Sequence, residues 1–133
     1  MKHIGIAIAL LALCFKTQAS ECIYDSPESV LDYYLEAIEE ADSQAIVEIY
    51  WGIESFSVYG KQPLISYEII KKETLSEDMQ FDDWNGQVPL WAQKDSVQME
   101  VLQLWENGLK GKFFYSFRKI EGRWYMVGHV GLE

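Results

Sequence analysis

Cysteine, histidine and positive charge are all scarce in this chain of 133 residues. Beyond residue 19 there is one cysteine and one histidine, too few for a metal centre built on those side chains. Eleven Lys and Arg stand against 21 Asp and Glu, a formal charge of −10. That balance argues against nucleic acid or an anionic membrane surface as a partner, since each calls for positive charge. It admits a cationic partner, and acidity also serves as plain solubility. No apolar run reaches the ~20 residues of a membrane-spanning helix. Neither an internal repeat nor a low-complexity linker divides the chain. What remains suffices for one core and no more.

What is present begins with a leader-like segment. Lys2 and His3 precede an apolar run from Ile4 to Phe15, and Thr17-Gln18-Ala19 follows. A basic region, a short apolar region and a small-residue site predict cleavage after Ala19 and a periplasmic or secreted product. The expected organisation is a signal peptide over 1–19 and a single domain over 20–133. Lipid attachment at Cys14 is disfavoured, because Leu13 stands where a small residue is wanted. Cleavage removes Lys2 and Lys16 but no acid, so the mature chain is more acidic still. It also leaves Cys22 with no partner in the chain. The expectation is an unpaired thiol near the new terminus, with an intermolecular bridge as the alternative.

Ser26-Pro27-Glu28 reads as a helix start, with Ser as N-cap, Pro at the first helical position and an acid in the first turn. Val30, Leu31, Tyr34, Leu35, Ile38 and Ala41 then form one apolar stripe. Asp42-Ser43 marks a new start, and Ala45, Ile46, Ile49 and Tyr50 form a second, shorter stripe. Phe56 to Tyr59 reads as a short strand ended by Gly60 and Pro63. Leu64 to Leu75, with Ile65, Ile69 and Ile70, reads as a third helix. Ser76 to Pro89 reads as a polar loop.

The C-terminal third, Val97 to Val130, reads as three strands broken at Asn107-Gly108 and Glu121-Gly122, rich in Val, Phe, Tyr and Trp. Alternation puts Val97, Met99, Val101 and Trp105 on one face, with Phe113, Tyr115 and Phe117, then Trp124, Met126 and Val130. That is the expected core face. The other face mixes charges with Leu102, Leu104, Phe114, Tyr125 and Val127, more apolar than a solvated face should be. A homodimer or partner contact there is expected. The fold class is α+β, with N-terminal helices packed on a curved antiparallel sheet that ends in a three-strand meander.

Two segments carry a family resemblance. Ser26 to Val30, Ala37-Ile38 and Asp42 to Ile46 look like the opening helix pair of the nuclear transport factor 2-like superfamily, a cone-shaped α+β fold. Phe117-Arg118-Lys119-Ile120-Glu121-Gly122-Arg123-Trp124-Tyr125-Met126-Val127 is similar to its closing hairpin. The resemblance implies fold and little about function, because that superfamily includes isomerase-like enzymes, dehydratases, carrier-binding modules and proteins without known activity.

Candidate chemistry is thin. His129 alone survives cleavage, near the end of the last strand, and is expected at the surface with no catalytic role. Asp82-Asp83 with Asn85-Gly86 invites calcium, but the EF-hand spacing would put Phe81 in the first ligand position, so a solvated turn is expected. No metal or cofactor is expected. The resemblance to ketosteroid isomerase-like members suggests a cone pocket with Tyr34, Tyr50, Trp105 and Tyr115 as lining, though no acid on the core stripes supplies a base. A second candidate surface groups Glu77, Asp78, Asp82, Asp83, Trp84 and Trp91, aromatics beside acids as recognition surfaces use them. The leading expectation is a secreted, non-catalytic binding protein that engages another protein, in an inhibitor or immunity-type role. The alternative is a small-molecule pocket, as carrier or isomerase-like enzyme.

Overall fold

The computed structural model describes residues 22–58, 60–80 and 86–132. The expected leader, Tyr59, Phe81, Asp82, Asp83, Trp84 and Asn85 lie outside them. Two helices are followed by a four-stranded open antiparallel sheet, an α+β fold. Helix α1 spans Pro27–Glu40 and α2 Ser43–Ile49; the strands are β1 (Leu64–Thr74), β2 (Val97–Trp105), β3 (Lys110–Ile120) and β4 (Arg123–Leu132). They lie side by side in chain order.

Local chemistry sets the helix ends. Ser26 caps α1 in a capping box, its Oγ accepting from the Ser29 backbone N–H (3.1 Å), which satisfies an amide that the first turn leaves open. Ala41 ends α1 in the left-handed region at φ 56°, and Asp42 then caps α2 by accepting from the Ala45 N–H. The apolar stripes do what amphipathic helices do. Val30, Leu31 and Leu35 of α1 and Ile46 and Ile49 of α2 are buried against Val97, Met99 and Val101 of β2, Phe117 of β3 and Met126 of β4.

Strand β1 corrects the expectation of a third helix over Leu64 to Leu75. Its ladder to β2 slips between Leu64 and Ser66 and again between Ile69 and Lys71. Each slip inserts an extra residue, Ile65 and Ile70, and both point to solvent. Two bulges five residues apart turn strict alternation into apolar pairs at 64–65 and 69–70, which imitates helical spacing. The expected three-strand meander is present as β2–β4, and β1 adds a fourth strand beside β2. Phe56 to Val58 form no strand; Tyr50 instead makes an isolated parallel bridge to Met126.

Strand β2 obeys alternation throughout, and Gln103 joins its buried face. Strands β3 and β4 are joined by a two-residue turn with positive φ at Glu121 (52°) and Gly122 (85°), the geometry that suits the twist of a hairpin. The β4 assignment needs a correction. The register steps from Phe117↔Met126 to Ser116↔Gly128, so Val127 is extra and the faces exchange beyond it. Val130, expected in the core, is 56% exposed. His129 takes the inward-facing place opposite Tyr115. Cys22 is disulfide-bonded in the full chain; the unpaired thiol is an expectation for the chain after cleavage.

Candidate functional site

The bulge at Val127 assembles a cluster of rings on the helix side of the sheet. Tyr34 comes from the buried stripe of α1, Tyr50 from the end of α2, Phe56 from the following segment, Tyr115 from β3 and His129 from β4. The Tyr34 ring lies edge-on to Tyr115 at 5.5 Å and to Phe56 at 6.2 Å. His129 is 5.5 Å from Tyr50 and 5.8 Å from Phe56. The Tyr50 hydroxyl and His129 Nδ1 share a hydrogen bond of 2.7 Å. Gln103 Nε2 donates to the Tyr115 hydroxyl at 2.6 Å, which explains why an amide sits on the buried face of β2.

Electrostatics keep this cluster neutral. Desolvation raises the pKa of Tyr34, Tyr50 and Tyr115; Tyr50 raises that of Tyr34 further, and Tyr34 that of Tyr115. Desolvation lowers the pKa of His129, whose edge stays open to solvent. The phenols are therefore hydrogen-bond donors at neutral pH, and the imidazole is uncharged. Carboxylates nearby are engaged elsewhere: Asp32 accepts from the Tyr67 hydroxyl, and Glu48 from that of Tyr33 (3.3 Å). The arrangement can hold a ligand between rings and donate to it. Among the described contacts of these five residues there is no carboxylate to act as base.

On the opposite side of β4 lies an open groove of about 490 Å³, lined in part by Trp91, Gln98, Phe114, Ser116, Gly128 and Val130. Trp91 rides on a short 3-10 turn, Leu90–Ala92. Gly128 lets it approach: a Cβ there would sit 3.0 Å from the Trp91 Cβ. The Ser116 hydroxyl donates to Gln98 Oε1 (2.7 Å), and Gln98 Nε2 donates to the Trp91 carbonyl (2.7 Å), so the polar floor is internally satisfied. His129 and Tyr50 reach the same groove around the strand edge.

Of the expected pocket residues, Tyr34, Tyr50 and Tyr115 meet and Trp105 does not. Trp105 is buried at the far end of β2, opposite Leu64. Glu77 and Asp78 are exposed beside Lys94 in a shallow depression, with Asp78 accepting from the Lys94 N–H (2.7 Å). Trp91 lines the groove. Leu102, Leu104 and Phe114 share the outer face with the Lys112–Glu100 ion pair (3.5 Å). Tyr125 is covered by Tyr24 and Trp51, whose rings lie 5.3 and 5.0 Å away. Phe56 and His129 were missed as site residues; Gly128 inside a strand pattern was the available signal of a bulge. Among the described residues no group of His, Cys, Asp or Glu is placed to hold a metal, and no helix is long and apolar enough to cross a membrane.

Comparison with family models, with curated proteins and with solved structures returns no match.

Proposed function

We propose that the chain is a secreted or periplasmic binding protein, not a catalyst, and that its target is a protein carrying positive charge. An inhibitor or immunity-type role fits that chemistry. One observation carries the reading: the charge is one-sided. Residues 22–58 hold nine carboxylates and no Lys or Arg, whereas residues 61–132 hold ten against nine. A uniform acidic coat for solubility would not be partitioned in this way. Asp32, Glu36 and Glu40 are exposed on α1, and Glu36, Glu40 and Asp42 surround a hollow of about 70 Å³ beside Tyr33. Such a field steers a cationic partner and weakens as salt rises.

Native mass spectrometry of the chain isolated gently from its own secreted fraction tests this. The expected result is a complex with a basic polypeptide that is lost on Glu36→Lys, Glu40→Lys and Asp42→Lys together. A complex indifferent to those changes would sink the charge argument.

A second reading, a small-molecule site, is favoured by Tyr34. This residue is only 6% exposed and lies edge-on to Tyr115 and Phe56, so a ligand reaching it would sit among rings. A small-mass adduct in the same experiment, abolished by Tyr34→Phe, would favour that site.

A further inference from the structure

The two halves of the outer edge of β4 differ. Along the first half the chain covers its own edge: the Trp124 N–H donates to the Tyr24 carbonyl (3.0 Å), and the Met126 carbonyl accepts from the Trp51 N–H (2.9 Å). The covering segment then turns away at Gly52 (φ 85°). Because Met126 faces outward, its partner Phe117 directs its backbone groups at β2. Tyr115 and Phe113 do the same by the alternation of an antiparallel ladder. Their partners His129 and Gly131 therefore present N–H and C=O outward, and no described strand pairs with them. This open half runs between the groove of Trp91, Phe114 and Val130 on one face and the Tyr50–His129 pair on the other.

We propose that His129 and Gly131 of β4 take an extended segment of a protein partner as a fifth strand, with one apolar side chain of that segment seated in the groove. Main-chain bonds to a sheet edge supply affinity, and pockets for alternate side chains supply selectivity. The groove asks for an apolar or aromatic residue. Residues 22–58, which meet β4 at Tyr24 and Trp51, hold nine carboxylates and no Lys or Arg, and ask for Lys or Arg at flanking positions. This inference rests on the protein-partner reading above and adds where the partner docks and in what conformation.

A library of displayed octapeptides selected on the full chain is the test. Selected peptides should alternate an apolar residue with cationic ones. Gly131→Pro, which removes an outward N–H without touching the β3 ladder, should weaken them at least about tenfold. Backbone N-methylation of the peptides, which leaves the protein untouched, should do the same and covers the case in which the Pro variant does not fold. Failure to select any peptide would overturn the proposal, as would equal binding by Gly131→Pro or by the N-methylated forms. A wild-type dimer that Gly131→Pro converts to monomer would also overturn it, because a second copy would then own the edge. Peptide binding lost at the edge but untouched by charge reversal of Glu36, Glu40 and Asp42 would uphold the fifth strand and discard the cationic reading. A native complex lost on charge reversal but indifferent to the edge would do the opposite.

Discussion

The two edges of the sheet handle unpaired backbone in contrasting ways. Strand β1 is long, bulged at Ile65 and Ile70, and carries Glu68, Lys71, Lys72 and Glu73 along its length. Bulges and charges are the usual means of discouraging a guest strand. Strand β4 carries one cation at its start, Arg123, and no acid; part of its edge is covered by Tyr24 and Trp51, and part is paired with no described strand. The lesson is that edge protection is local. One edge is defended by sequence, the other by whichever segments happen to reach it.

The comparison depends first on β4 being anchored. Phe117 is fully buried beneath Met126 at the bulge, so Phe117→Ala should cost about 3–5 kcal/mol in a denaturant melt. A cost under 1 kcal/mol would mean that β4 is not held to the core there. Next comes the close approach of Trp91. Gly128→Val forces the indole off the strand and should cost about 1–3 kcal/mol, with tryptophan fluorescence shifting to the red as the ring gains solvent.

Smaller effects concern the open half. Tyr50→Phe removes the bond to His129 and should cost about 0.5–1.5 kcal/mol. The pKa of His129 lies below its ordinary 6.5 because burial penalises the charged form. The unfolded chain thus binds the proton more readily. The stabilisation is complete above pH 6.5 and falls as pH drops through the folded value. Melting temperature should decline on acidification below pH 6.5, and His129→Gln should flatten the decline. The smallest effect belongs to β1: Ile65, 59% exposed on its bulge, should tolerate Thr within about 0.5 kcal/mol. A large loss there would show that the β1 edge is covered in solution.

Much of the fold was legible because its signals are local. The caps at Ser26 and Asp42, the stripe through Val30, Leu31, Tyr34 and Leu35, and the Glu121-Gly122 turn each depend on residues a few positions apart. Strand β2 was legible for the same reason. Strand β1 was misread because bulges imitate helical spacing. The inner assignment failed beyond Val127 because one extra residue reverses every side chain after it. The candidate site was half legible: Tyr34, Tyr50 and Tyr115 were named, while His129 and Phe56 enter only once that reversal and the path after α2 are known.

By itself the sequence determined the acidity of the helical half, the order of helices before meander, and the faces of α1, α2 and β2, since composition and short-range periodicity carry them. Tertiary structure decided that Leu64 to Thr74 is a strand, that His129 faces Tyr50, and that part of the β4 edge pairs with no described strand. Those outcomes hang on register and on which distant segment covers an edge, and hydrogen bonds between residues far apart in the chain have no local trace.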